Sequence, residues 1–224
     1  MVYVGSEDKN FYALNAQSGQ KEWSYTTGDS IDSSPAVVNG TVYIGSDDNN
    51  VYALDATSGS KVWSFGTGNY VDSCPAVANG MVYVGSEDNS LYALNESTGS
   101  KIWSYSTGNQ VESFPAVAGG IVYVGSDDNK IFALNATAGS TAWTYGTNDL
   151  VDSSPAMANG VVYVGSGDYN VYAFGTITVP QPSAPTVPEM PIQALGFTII
   201  ATMIGGGFVV VIKKKTIKAK ETSI

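Results

Sequence analysis

One run of residues recurs five times along this chain, always at the same interval. VYVGSEDKNFYALNA at Val2 returns as VYIGSDDNNVYALDA at Val42, VYVGSEDNSLYALNE at Val82, VYVGSDDNKIFALNA at Val122 and VYVGSGDYNVYAFGT at Val162, a step of 40 residues without insertion or deletion. Trp23, Trp63, Trp103 and Trp143 keep the step, and so do Pro35, Pro75, Pro115 and Pro155. A fixed period of this length marks a repeat architecture. No single unit can bury its own apolar face, so the copies must pile on one another.

Within a repeat the apolar pattern alternates with period 2, in short runs bounded by turn residues, which predicts strands. Pro35 to Val38 end at Asn39-Gly40, a favoured two-residue hairpin. Thr41 to Gly45 follow, then the polar turn Ser46-Asp47-Asp48-Asn49. Val51 to Leu54 come next, then Thr57-Ser58-Gly59-Ser60, then Lys61 to Phe65. Each repeat thus predicts four antiparallel strands, called A to D below. Four-stranded sheets stacked radially make a β-propeller, whereas linear stacking would make a solenoid; hairpin connections favour the propeller.

The first four repeats close on Ala-x-Ser/Thr-Gly-x-x-x-Trp, as in Ala56-Thr57-Ser58-Gly59-Ser60-Lys61-Val62-Trp63, with Glu96 replacing the alanine in the third copy and Ala138 at the Ser/Thr position of the fourth. The tryptophan of strand D is placed to wedge between neighbouring sheets, and the glycine permits a tight C–D turn. On these residues the chain resembles the quinoprotein-type, or PQQ-like, propeller repeat over roughly residues 2 to 175. The WD40 period also fits, but Ser or Thr follows each Trp here. The resemblance implies an all-β propeller. Family dehydrogenases hold their quinone with calcium, an arginine, a catalytic aspartate and often a vicinal cysteine pair. Other relatives are binding scaffolds, among them a lipoprotein that assists outer-membrane protein assembly. This chain has no arginine and no adjacent cysteines, so the expectation is no catalytic residue, no bound PQQ and no enzyme.

Composition narrows the function further. With no His, no Arg and one Cys, histidine-based nucleophilic catalysis, imidazole metal sites, bidentate phosphate clamps and an internal disulfide are all excluded. A net charge of −10 also argues against nucleic acid, whose phosphates would be repelled. The lone Cys74 replaces Ser34, Phe114 and Ser154 at the start of strand A, and reads as a small buried residue. Tyr43, Tyr52 and their equivalents read as packing between blades.

Residues 1–28 supply only strands B, C and D, three full blades follow, and the last begins at Ser153, with Thr176-Ile177-Thr178-Val179 offered as its strand D. The expectation is five blade units, the first and last incomplete, forming an open arc that could self-associate through its unpaired faces. Met1 stands in the register of Thr41, Met81, Ile121 and Val161, and no N-terminal signal peptide is visible, so upstream repeats and an export signal are expected to be missing.

Strand order places B–C turns and D–A loops at one end of a propeller and A–B and C–D turns at the other. Fifteen of the twenty carboxylates then share the first end. Asp47, Asp48, Glu87, Asp88, Asp127 and Asp128 are candidate cation ligands there, with calcium as the fitting ion, although the EF-hand spacing is missing. Acidic residues also make good hairpin turns and keep a surface soluble. The other end carries Lys21, Lys61 and Lys101 and three Asn-x-Ser/Thr triplets at Asn39, Asn95 and Asn135.

Beyond the repeats (residues 1–179) the composition changes. A Pro-rich linker (180–191) leads to 21 uncharged residues (192–212) and a basic tail (213–224) that opens with Lys213-Lys214-Lys215. As a helix at about 1.5 Å per residue the uncharged run spans a bilayer core of about 30 Å. The lysines place the propeller outside the cytoplasmic membrane, on the cell surface. Pro188-Glu189-Met190-Pro191, the span and the basic cluster resemble an archaeal PEF-CTERM sorting signal, which implies archaeal origin and processing. Met190 stands where that signal carries phenylalanine, and 216–224 extend past its usual end; a plain C-terminal anchor is the alternative. The sequence thus predicts a non-catalytic surface scaffold that binds a protein or ligand. The alternatives are a truncated quinone-dependent dehydrogenase and a surface-layer or adhesion component.

Overall fold

The computed structural model of the chain describes residues 1–175, 197–204 and 207–214. The described chain is all-β, and its repeats form five antiparallel sheets arranged as propeller blades. The first blade has strands B (Val2–Val4), C (Asn10–Leu14) and D (Lys21–Thr26) and lacks A. The second is complete: Ala36–Val38, Thr41–Ser46, Asn50–Asp55 and Lys61–Gly66. The third (from Ala76–Ala78 to Lys101–Ser106) and the fourth (from Ala116–Ala118 to Thr141–Gly146) copy it. In the fifth, A, B and C are Ala156–Ala158, Val161–Gly165 and Val171–Gly175.

The turns take the backbone their residues favour. Asn39 and Gly40 both have positive φ, 50° and 78°, as the primed two-residue hairpin requires. The pairing of C with D shifts by one residue after Ala53, so Ala53 faces Trp63 while Leu54 faces Lys61. The same bulge follows Ala13, Ala93 and Ala133. It leaves Val62 and Ile102 facing solvent while Trp63 and Trp103 turn inward.

Each core lies between blades. Val42, Ile44 and Leu54 of the second blade close on Phe11 of the first, and Val82, Val84 and Leu94 of the third close on Tyr43, Val51 and Trp63 of the second. The expected wedge is present. Trp23, Trp63 and Trp103 donate their indole N–H to the carbonyls of Ala56, Glu96 and Ala136 in the next blade, at 3.2, 2.9 and 2.9 Å. A Cβ on Gly59 would lie 2.5 Å from the Trp23 ring, so this glycine serves both the turn (φ 72°) and the fit of the next-door indole. Gly45 has a different reason to be glycine: a Cβ there would meet the Val71 carbonyl at 2.1 Å.

Where the 192–212 run is described, it is extended: Phe197–Ile204 and Gly207–Lys214 pair antiparallel, and the second of them pairs with Val171–Gly175 in the strand D position. Ile, Val and Thr dominate this run and suit strands, and the last strand C offers an edge to pair with. Thr176–Val179, the linker 180–191 with its Pro-Glu-Met-Pro, residues 192–196 and 205–206, and the tail after Lys214 lie outside the described residues. Among the described residues no helix is long and apolar enough to cross a membrane.

Candidate functional site

The polarity of the loops follows from their hydrogen bonds. The amides of Asp47, Glu87 and Asp127 in B–C turns donate to the carbonyls of Ser30, Tyr70 and Gln110 in the preceding D–A loops, at 3.0, 3.0 and 3.1 Å. At the opposite end the Ala56 amide donates to the Gly40 carbonyl at 2.8 Å, and the Asn39 side-chain amide to Glu96 Oε1 at 3.2 Å. The acidic residues of both loop types therefore meet at one end.

Two adjacent acidic positions in each B–C turn have separate fates. The second is consumed by the fold. Asp48 Oδ2 accepts the Gly28 amide of the previous blade's loop at 2.6 Å and the Tyr52 hydroxyl at 2.7 Å, while Oδ1 accepts the Asn50 amide. Asp88 does the same with Gly68 and Tyr92, and Asp168 with Asn148 and Tyr172. In the fourth blade Phe132 replaces the tyrosine, and Lys130 takes the vacant place on Asp128 at 2.9 Å beside the Gly108 amide. Burial, then the carboxylate beside it, push the Tyr92 hydroxyl up to about 12. These aspartates are clamps between blades.

The first acidic position makes no such clamp. Asp47, Glu87 and Asp127 stand with Asp32, Asp72 and Glu112 of the D–A loops in a mutually repelling set. Burial and, after it, the neighbouring carboxylates raise the pKa of Glu87, Glu112 and Asp127. Asp47 is raised furthest, to about 7, by burial first and then by a hydrogen bond to Asp72 and the charges of Asp72, Asp32 and Asp29. Burial also raises the pKa of Asp72. The Oδ1 atoms of Asp47, Asp72 and Asp127 are buried without a partner, as are the second oxygens of the clamps Asp88 and Asp128. Glu87 is better served, since its Oε2 accepts the side-chain amides of Asn69 and Gln110. Among the described residues the ion pairs are Lys9–Asp29 and Lys130–Asp128, so no lysine neutralises the inner set.

Of the six candidate cation ligands, Asp48, Asp88 and Asp128 serve the clamps, whereas Asp47, Glu87 and Asp127 face one another from successive blades. Among the described residues no three acidic side chains converge as a single metal ion requires. Cys74, expected to be buried, is only half-buried; its Sγ accepts the Ser34 amide at 3.0 Å, and burial raises its thiol pKa. A cavity of about 390 Å³ lined by Met1, Tyr3, Glu22, Ala56 and Thr57 contains none of the candidates.

The sequence alone did not separate clamps from the acids beside them, although Asp-x-x-x-Tyr, repeated at Asp8/Tyr12, Asp48/Tyr52, Asp88/Tyr92 and Asp168/Tyr172, carried the signal.

A family model described as outer membrane protein assembly factor BamB matches residues 7–113 and 109–178. No curated protein matches the chain. Among solved structures, BamB from Moraxella catarrhalis superposes with a TM-score of 0.68 at 21% identity, over 77% of this chain and 54% of that one. The computationally designed Ika8 protein superposes with a TM-score of 0.69 at 19% identity, over 76% of this chain and 54% of that one. The chain spans about half the length of each, and at these identities the likeness is one of fold.

Proposed function

The chain belongs to the family described as outer membrane protein assembly factor BamB, and from that premise we propose that it is a non-catalytic binding scaffold whose acidic end receives a lysine-rich segment of a protein partner. The observation that carries this reading is the inner set of Asp47, Asp72, Glu87 and Asp127, in which Asp47, Asp72 and Asp127 each retain a buried carboxylate oxygen without a donor and which has no ion-paired lysine among the described residues. An ammonium group brings three donors and the missing charge, and a chain of them suits acids spread over successive blades better than one ion does. Calcium at the same end stays the competing occupant.

The test is a titration of a fluorescent oligolysine peptide into the full chain. Affinity falls steeply with added salt, and the Asp47→Asn, Glu87→Gln, Asp127→Asn triple variant binds at least tenfold more weakly. Equal binding by both proteins, or displacement of the peptide by millimolar calcium, removes the basic-segment reading.

The uncharged run before Lys213-Lys214-Lys215 supports a second part of the proposal, an anchor in the cytoplasmic membrane with the propeller on the cell surface. In a bilayer the same residues would have to satisfy every backbone group internally, which a helix does. Recognition of Pro188-Glu189-Met190-Pro191 by a sorting enzyme of the PEF-CTERM type would make that anchor transient. Fractionation of cells expressing the full chain and a chain ending at Pro191 decides: the first sediments with membranes and the second does not.

A further inference from the structure

Three Asn-x-Ser/Thr triplets lie at the end opposite the acids: Asn39-Gly40-Thr41, Asn95-Glu96-Ser97 and Asn135-Ala136-Thr137. The triplet is the acceptor pattern for N-linked sugars, and as a sequence it is common. The atom that takes the sugar is the side-chain nitrogen, so the fold matters through what it does with Nδ2. It treats the three asparagines differently.

The nitrogen of Asn39 is occupied. It donates to Glu96 Oε1 of the next blade at 3.2 Å, so a sugar there would meet that blade. Thr41, the third residue of the triplet, opens a strand held on both sides, by Val38 and by Asp55.

Asn95 and Asn135 end strand C of the third and fourth blades and begin the C–D turn. There the turn uses only the oxygen. Asn95 Oδ1 accepts the amides of Ser97 and Thr98, both at 3.0 Å, and Asn135 Oδ1 accepts those of Thr137 and Ala138, at 3.0 and 2.9 Å. Such an Asx-turn needs no nitrogen, and Asp55 makes the same turn with the amides of Thr57 and Ser58. The equivalent Asn15, which is not in a triplet, gives its nitrogen to Glu22 Oε1 at 3.1 Å. Ile102 and Ala142 stand in the place of Glu22 in the later blades and offer no acceptor. Among the described residues Nδ2 of Asn95 and of Asn135 has no hydrogen-bond partner, and neither is a buried unpartnered atom. Asn135, Thr137 and Ser97 are exposed, and Asn95 is half-buried. The middle residues are held by their carbonyls, which accept the Trp63 and Trp103 indoles, so each turn presents its nitrogen from a fixed frame.

We infer that Asn95 and Asn135 are acceptors of N-linked glycans and that Asn39, with the same triplet, is not. The donor is of the lipid-linked oligosaccharide class. In the transfer a bond forms between Nδ2 and the anomeric carbon of the first sugar, and the bond from that carbon to the donor's phosphate oxygen breaks. The lipid phosphate leaves with the bonding electron pair, and one Nδ2 proton passes to a base of the transferase. Sugars on these two turns shield the end opposite the acids and leave the acidic end open to a partner. In cells the transfer rests on the propeller lying outside the cytoplasmic membrane, as proposed above; the acceptor geometry does not.

The test is transfer in vitro to the folded full chain, in detergent, by a single-subunit oligosaccharyltransferase that reads Asn-x-Ser/Thr, with a fluorescent lipid-linked oligosaccharide as donor. Peptide mass spectrometry finds glycan on Asn95 and on Asn135 at least tenfold above Asn39, whereas a synthetic peptide of residues 35–45 is modified at Asn39. Asn95→Gln and Asn135→Gln each remove one glycan. Asp55→Asn completes a triplet with Thr57 in the same kind of turn, with Val62 in the place of Glu22, and adds a third. Failure at either turn, equal transfer to Asn39, or a peptide as inert as Asn39 in the folded chain overturns the inference. Because the donor is supplied, such a failure counts against the sites, whereas a failed membrane fractionation counts against the location.

Discussion

Trp63 Nε1 donates to the carbonyl of Glu96, 33 residues ahead and one blade away, at 2.9 Å. The same carbonyl accepts the Tyr43 hydroxyl at 3.4 Å, so two aromatic side chains of one blade hold a single peptide group of the next. That explains why Glu96 can replace alanine in its repeat: the neighbour reads its backbone, and its side chain is left to meet Asn39.

Gly99 is the seat of this indole, and a Cβ there would lie 2.6 Å from the ring at a φ of 70°. Overpacking and the backbone penalty together give Gly99→Ala a cost of at least about 2 kcal/mol. Trp63→Phe keeps an aromatic ring but loses the hydrogen bond and some area, for about 1–3 kcal/mol. Urea unfolding of the two variants checks both values, and Gly80→Ala, which meets no neighbour, is the control for the φ effect alone.

Asp47 and Asp48 are adjacent in sequence, yet their substitution has opposite consequences. Asp48→Ala strands the Gly28 amide and the Tyr52 hydroxyl and costs about 2–3 kcal/mol. Asp47→Asn removes a charge from a repelling set and leaves stability unchanged or higher at pH 8. Thermal melts of the pair make the comparison.

The raised carboxyl of Asp47 sets a pH dependence. The folded pKa of Asp47, about 7, lies above its ordinary value of 3.8, so between these values the folded state binds more protons than the unfolded one. This contribution is fully present below about pH 4 and is lost as pH rises through 7. Glu87, Glu112 and Asp127 are raised in the same direction. The melting temperature therefore falls between pH 5.5 and pH 8, and Asp47→Asn flattens that slope; a slope unchanged in the variant would remove Asp47 from the account.

Phe132 occupies the place that Tyr52, Tyr92 and Tyr172 hold in their blades, and Lys130 fills the gap on Asp128 from the surface. Phe132→Tyr supplies a buried donor where an exposed ammonium now serves. The denaturation midpoint rises, corresponding to about 0.5–1.5 kcal/mol, and Lys130→Ala becomes less harmful in that background.

Much of this architecture is legible in the residues themselves. A 40-residue step with period-2 runs fixes four strands per copy. Asn39-Gly40 fixes the hairpin because few other pairs tolerate two positive φ values, and Gly59 with Trp63 announces a wedge. Loop polarity follows from strand order by counting. What the repeat could not separate was the work of its two neighbouring acids. Asp47 and Asp48 have the same chemistry and the same turn, and they differ in what the loops on either side bring to them: the Gly28 amide of the loop before their blade reaches Asp48, whereas Asp72 of the loop after it acts on Asp47.

The tail is the opposite case. Its uncharged run reads as a bilayer helix on length and hydropathy, which are properties of the segment alone. The described part of the run pairs with strand C of Val171–Gly175, an edge that lies outside the segment and that its length and hydropathy do not announce. Sequence determined the repeating unit, its strands and its turns, since these depend on contacts within about forty residues. Only the stacking of one blade on another decided which carboxylates are consumed and which remain, because every clamp spans two copies and a copy read alone contains one side of it.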